Sequence, residues 1–377
     1  MAAANAAPSI MAGTTTMAGV HRDLPLCSPQ TNRAPEWICR PFLDTGERGT
    51  DMRSVLHVGP CRSPGGMATV MQTLADRPPE GWKAELLSSH AEGSLWAKWR
   101  AYQRARGELR RRCAGQQAPD VVHVHVASDW SWRRKSRIIR EAQHHNVPVV
   151  VHLHSGQFDA WLARAGASRA GRVKQTLAHP GVQTVVLSSA WKERLEPLIG
   201  PAQVVGNPLP SPNPLRSASR DEQHLLVLGR KDPTKGHGFA VDVAMALRQE
   251  FPNLRLTMTG EHRSEHDWVD ARGWVSDEEK NELLARASAL LVPSTFEGQP
   301  MVALEALSAG LPVCVSDRVV GLPETVRYAK LGDVEDWVAT VRSLLNDKHD
   351  AEELVASVDH HTLDSVQETW KSIYESF

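Results

Sequence analysis

The stretch LLVPSTFEGQPMVALEALSAGLPVCVS, residues 290–316, reads as a strand, a helix and a second strand. Leu290–Val292 and Val313–Ser316 are short apolar runs with β-branched residues, each preceded or followed by proline. Between them, Pro300 suits the first helical turn and Gly310 the far end, so a helix is predicted over Pro300–Ala309. Strand, helix and strand in one short span make a parallel βαβ unit, whose sheet must be covered by helices on both faces.

The same alternation recurs outward from this unit. His224–Leu228, a helix over Gly238–Glu250 and Leu254–Thr259 precede it. Earlier still, Val55–Val58, Val121–Val126, Val147–Leu153, Thr184–Leu187 and Gln203–Val205 read as strands. Helical stretches over Gly66–Leu74, Leu95–Arg112 and Ser131–His144 lie among them. Asn207–Pro214 holds four prolines in eight residues, which fits neither strand nor helix and marks a boundary or hinge. The expected organisation is two doubly wound α/β domains, 52–210 and 211–361, with ligands bound in the cleft beyond the carboxyl ends of the strands.

Composition agrees with a chain able to bury two cores: 377 residues with 41% hydrophobic content is more than one ordinary domain. No run approaches the ~18 consecutive apolar residues of a membrane span. Cys27, Cys39, Cys61, Cys113 and Cys314 form no CxxC pair, which fits a reducing, cytoplasmic compartment and gives no structural zinc site. A net charge of −1 hides an asymmetry: Met52–Leu215 carries +11 and Arg216–Phe377 carries −11. The basic half should favour an anionic partner, such as a phospholipid surface or a phosphate-bearing acceptor. Residues 1–51 lack periodicity and a signal-peptide pattern, so they are expected to be disordered or a mis-assigned extension ahead of a start at Met52.

Three loops carry chemistry. Leu228–Gly238 (LGRKDPTKGHG) leads from a strand into a helix and places Arg230, Lys231 and Lys235 where free N–H groups favour phosphate; a flexible basic loop is the alternative. Glu297 lies in the loop before the quoted helix, and Glu305 about five residues along it, roughly 7.5 Å down the axis. Two carboxylates so separated can hold hydroxyls at both ends of an extended ligand, unless Glu305 simply faces solvent. Gly59–Gly66 (GPCRSPGG) lacks GxGxxG spacing; its paired glycines permit close approach of a substrate or simply make a tight turn.

The stretch Phe296–Gly310 resembles the E-x7-E signature of family 4 glycosyltransferases, retaining nucleotide-sugar enzymes of the GT-B fold: two Rossmann-like doubly wound domains facing across a cleft. Gly65-Gly66, the strand ending in His154, Val186–Ser189, Val205–Pro208, Gly229-Arg230, Lys235-Gly236, Pro312-Val313, Gly321–Glu324 and Trp370 to Tyr374 resemble further family segments in the same order. The resemblance implies that Arg230 and Lys235 neutralise the donor diphosphate and that Glu305 holds the ribose. It implies contacts from Glu297 and His154 to the donor sugar, and from Gly65, Gly66 and Gly298, Gln299, Pro300 and Met301 to sugar and phosphate. It also implies that the last helix, 362–377, packs back onto the first domain. Ser155 and Asn207-Pro208 depart from the family's usual Asp and Asn-Gly.

The implied activity is transfer of a hexose-type sugar to a hydroxyl of a lipid-linked or polysaccharide acceptor, with retention and no covalent nucleophile. A nucleotide-sugar epimerase or another GT-B enzyme such as a phosphorylase is the alternative. A non-catalytic nucleic-acid binder would leave both glutamates unexplained, and nucleic acid is not an expected partner. His123/His125 and His152/His154 each point to one face of a strand, yet no cysteine or carboxylate joins them, so neither a metal nor another cofactor is expected. Aromatic-plus-basic runs, Leu95–Cys113 and Trp130–Arg137, suit an anionic membrane surface or tryptophans turned into the core.

Overall fold

The computed structural model describes residues 52–210 and 220–377. The expectations for residues 1–51 and for 211–214 of the proline-rich segment lie outside the described residues. Among the described residues there are two six-stranded parallel sheets. The first contains β1 (Arg53–Gly59), β2 (Trp82–Ser88), β3 (Val121–Val126), β4 (Val149–Leu153), β5 (Val182–Val186) and β6 (Gln203–Val204), in the order β2-β1-β3-β4-β5-β6. The second contains β7 (His224–Val227), β8 (Arg255–Met258), β9 (Val269–Ala271), β10 (Ala289–Val292), β11 (Val313–Ser316) and β12 (Arg327–Ala329), in the order β12-β11-β10-β7-β8-β9.

Each order changes direction once, between β1 and β3 and between β7 and β10. The crevice beyond the carboxyl ends of the strands at such a point is where doubly wound sheets hold ligands. In the second sheet this puts the loops after β7 and β10, hence Arg230, Lys235 and Glu297, side by side. The quoted βαβ unit is β10, the helix Met301–Ser308 and β11, with Pro300 as the residue capping the helix start.

The first sheet is packed on both faces. Leu56, Val58, Val122, Val124, Val151 and Leu153 meet Tyr102, Leu109, Trp132, Ile138 and Trp161 on one side. On the other, Val55, Val121 and Val150 meet Trp370, Ile373 and Tyr374 of the terminal helix Leu363–Glu375. The alternation of strand side chains places His57, His123, His125, His152 and His154 on this second face. Parallel register sets His57 beside His123 and His125 beside His152. The rings bond to one another: His57 Nδ1 to His125 Nε2 at 3.0 Å, His125 Nδ1 to His154 Nε2 at 3.0 Å, and His123 Nε2 to His152 Nδ1 at 3.2 Å. Tyr374 Oη closes the layer against His123 Nδ1 at 2.8 Å.

Burial holds these imidazoles neutral, with His57 lowered to about 3 and His123, His125 and His152 well below the ordinary value of 6.5. Between pH 6.5 and about 3 the unfolded chain therefore binds protons that the folded chain refuses. Their stabilising effect is complete above pH 6.5 and lost as the pH falls toward 3, by at most about 1.4 kcal/mol per pH unit for each ring. The urea midpoint, followed by circular dichroism, should fall between about pH 7.5 and pH 5 and fall less steeply in His57→Phe. A midpoint that does not move over that range would disprove the account.

Candidate functional site

The site lies where the carboxyl ends of the two sheets meet, and most of its contacts need glycine. A Cβ on Gly156, just after β4, would lie 2.1 Å from the Glu297 carbonyl carbon. A Cβ on Gly298 would lie 2.2 Å from the His154 carbonyl oxygen, and one on Gly66 3.2 Å from Met301 Cγ. The loop 297–300 is thus laid directly on the backbone after β4. Trp191 Nε1 donates to the Gly298 carbonyl at 2.5 Å. Gln299 bridges the halves further: its Oε1 accepts from Asn207 N at 2.8 Å, and its Nε2 donates to the Gly321 carbonyl at 3.2 Å.

This arrangement unites most of the residues read from the sequence. His154 and Gly298 are in contact, as are Gly66 and Met301, while Gly65 caps the helix Gly66–Asp76 with a positive φ of 133°. Pro300 and Met301 open the helix Met301–Ser308, whose first N–H groups have no acceptor within the helix. Gln299 is buried, its amide committed to the Asn207 and Gly321 backbones.

The cationic loop Arg230–Gly236 faces the same crevice. Lys235 Nζ donates to Glu297 Oε1 at 2.5 Å, joining the expected phosphate ligand to the expected sugar ligand. Arg230 stands more exposed, 3.4 Å from Asp232 of its own loop. Hydrogen bonds from Thr234, helped by Arg230 and Lys235, hold the Asp232 carboxyl below its ordinary range. Gly236 has a φ of 72°, and a Cβ there would meet the Pro293 carbonyl at 2.5 Å, so the two loops are seated backbone to side by side only through glycine.

Glu305 is 8% exposed, not solvent-facing, and its Oε1 accepts from Lys280 Nζ at 3.0 Å. Burial works against the Lys280 charge, but Glu305 and Asp277 outweigh it and raise its pKa above the ordinary lysine value. Sequence reading missed Lys280 and Trp191, and it set Lys135 in the aromatic-plus-basic run suited to a membrane surface, whereas Lys135 is buried. Both lysines lie on apolar helical stripes, Lys280 with Leu283 and Leu284 and Lys135 with Ile138 and Ile139, and a cation at such a position is a readable signal.

The histidine pairs gather with His57 into two groups, His57/His123/His125 and His125/His152/His154, close enough to share a metal ion. Most of their ring nitrogens are engaged with one another, as described above. The aromatic-plus-basic helices divide: Tyr102 and Trp132 enter the core, whereas Leu95, Trp96, Trp99 and Trp130 are exposed, Trp96 stacking on Trp99 at 4.7 Å. Among the described residues no helix is long and apolar enough to cross a membrane.

Two doubly wound parallel sheets joined at their carboxyl ends define the GT-B fold. Sucrose-phosphate synthase from Thermosynechococcus elongatus has this architecture, with a TM-score of 0.65 at 15% identity over 86% of this chain and 98% of that one. Within the second sheet, residues 222–347 match the family described as glycosyl transferases group 1. Glycogen synthase of Mycobacterium tuberculosis is 30% identical over 258 residues, 61% of each chain. D-inositol 3-phosphate glycosyltransferase of Pseudarthrobacter chlorophenolicus is 31% identical over 147 residues, 33% of this chain and 34% of that protein. The chain therefore spans about three fifths or less of the length of these curated relatives.

Gly156→Ala tests the seating of the 297–300 loop. The added methyl must displace the Glu297 backbone, so affinity for a ligand held by this loop should drop about tenfold or more while circular dichroism shows the fold retained. Unchanged affinity would mean that the contact does not position the loop.

Proposed function

We propose that the protein is a retaining glycosyltransferase that moves a hexose-type sugar from a nucleotide diphosphate sugar to a hydroxyl of a lipid-linked or polysaccharide acceptor. The observation that carries this reading is the pairing of Lys235 with Glu297 at the strand ends, beside His154 and above buried Glu305. In this reading residues 211–361 form the donor domain. Residues 52–210 and the helix after 362 form the acceptor domain.

The donor would enter with its ribose on Glu305 and its diphosphate on Arg230, Lys235 and the N–H groups of Gly298–Met301. The phosphate would draw Lys235 away from Glu297, freeing that carboxylate for the sugar hydroxyls. Charge develops on the leaving diphosphate as the anomeric C–O bond breaks, and fixed cations and N–H dipoles stabilise it there. The acceptor oxygen attacks from the same face, and its proton passes to the departing phosphate oxygen. His154, held to about 3 first by burial and then by Lys135, stays neutral and offers the sugar a hydrogen bond without adding charge. No metal or other cofactor is assigned a part, because side chains and backbone already supply the positive field.

Titration calorimetry with UDP-, GDP- and ADP-sugars should find one donor that binds. Glu305→Ala should weaken it by about 2 kcal/mol or more, since the ribose is left without its acceptor while Lys280 keeps only Asp277 as its partner. Release of an epimer or free sugar without acceptor would favour an epimerase, and binding untouched by Glu305→Ala would reject the donor site.

The exposed Leu95, Trp96, Trp99 and Trp130 lie among the cations of the +11 half, which supports a cytoplasmic enzyme resting on the inner face of an anionic membrane. Flotation with anionic vesicles should carry the protein at low salt and fail with Trp96→Ser/Trp99→Ser. No flotation of the unaltered protein at low salt would remove the membrane from the account.

A further inference from the structure

Beyond the carboxyl ends of β1 and β2, on the acceptor side of the cleft, lies a group of cations on which no carboxylate among the described residues acts. Lys135 is 3% exposed, and its Nζ donates to the Val58 carbonyl at 2.9 Å and Ser89 Oγ at 2.5 Å. An ammonium has three protons; these two oxygens take two of them, and beyond them the Cys61 thiol acts on the lysine. Arg134 beside it makes no hydrogen bond or ion pair among the described residues, and its Nε is buried without a partner. His90, next to Ser89, has a buried Nδ1 with no partner and feels Arg134, Lys98 and Lys135. Tyr102, 6% exposed, interacts with Arg134 while its hydroxyl is buried and unpaired. No carboxylate is among the groups acting on Lys135, Arg134 or His90.

Buried polar atoms are almost always paired, and a buried cation without an anion is strongly disfavoured. One such orphan could be an accident of packing. Three such atoms, on Arg134, His90 and Tyr102, in a group that these residues and Lys135 join by acting on one another electrostatically, are the complement of a missing oxyanion. The donor diphosphate does not fit here, since its cations are on the loops after β7 and β10. Lys135 nevertheless acts on His154, so the group borders the reacting end of the cleft.

We propose that Lys135, Arg134, His90 and Tyr102 form a subsite for a phosphoryl group carried by the acceptor. This deepens the glycosyltransferase reading and rests on it. Two neighbouring cations suit the double negative charge of a phosphoryl group better than the single charge of a carboxylate, and a bound phosphate would keep Lys135 protonated. Burial and the neighbouring Arg134 otherwise lower that lysine to about 7.

The probe is inorganic pyrophosphate, titrated calorimetrically into the full chain bearing Arg230→Ala/Lys235→Ala, which removes the donor cations. One binding site should survive. Arg134→Gln and Tyr102→Phe, made in that background, should each weaken it by about tenfold, and Lys135→Met should abolish it. Arg134 is only half-buried, so its variant keeps the test alive if Lys135→Met fails to fold. Complete loss of pyrophosphate binding with Arg230→Ala/Lys235→Ala, or survival at full affinity in Arg134→Gln, overturns the subsite. Glucuronate binding in place of pyrophosphate overturns the phosphoryl assignment. Loss of flotation on anionic vesicles in Arg134→Gln would transfer the subsite to a phospholipid headgroup and overturn the acceptor assignment. Pyrophosphate retained here, with no nucleotide sugar bound by the unaltered chain, would leave the subsite standing and remove the donor reading instead.

Discussion

The constraint on which this site depends is the distance between two backbones. The chain after β4 and the loop before the helix Met301–Ser308 touch at Gly156 and Gly298, and neither contact leaves room for a Cβ. Close approach of main chains is something glycine alone allows without displacement. It fixes the Glu297 carboxylate against the His154 end of the first sheet. Trp191, and Asn207 with Gln299, then reinforce it with hydrogen bonds that span the two halves. Were the gap wider by a methyl group, the same residues would still be present but would no longer face one another.

Within that frame, charge is arranged in pairs on one side and left open on the other. Glu297 holds Lys235 and Glu305 holds Lys280, so the second sheet presents carboxylates and ammoniums already matched. A ligand with both phosphate and hydroxyl groups can exchange into those pairs, replacing each ion contact by one of its own. Such an exchange limits the desolvation penalty of binding, because no buried charge is left alone at any stage. On the first sheet no carboxylate among the described residues acts on Lys135 or Arg134, and in the proposed subsite the compensation comes from the bound phosphoryl group.

How much of this is legible in the sequence follows from what each feature needs. The βαβ unit at 290–316 and strand β3 are readable because their residues are apolar, β-branched and bracketed by proline and glycine. Strand β2 is not, since Trp82–Ser88 lies at a sheet edge and mixes Lys83 and Glu85 with apolar residues. Strands β9 and β12 have three residues each, too few for any period. Glu305 is found by its position in an apolar helix, but its lysine partner comes from another helix and depends on tertiary packing. The histidine pairs on β3 and β4 are visible, whereas their union with His57 requires strand order, which no local pattern encodes. Lys135 was submerged in a run of arginines, although its spacing to Ile138, Ile139 and Ala142 places it on the buried stripe.

The opposite net charges of the two halves explain less than they first suggest. A half carrying −11 holds the cationic loop and helix N-termini suited to a diphosphate. This is no contradiction, because at physiological ionic strength exposed charges are screened beyond about 8 Å. Arg230, Lys235 and the N–H groups of the helix Met301–Ser308 act at contact distance, where a few oriented dipoles outweigh a distant surplus of carboxylates. The +11 of the other half divides in the same way. Its exposed arginines give a diffuse field that salt can weaken, while Lys135, 3% exposed, is screened much less when protonated. Specificity should therefore reside in the few enclosed cations, and attraction to a charged surface in the many exposed ones.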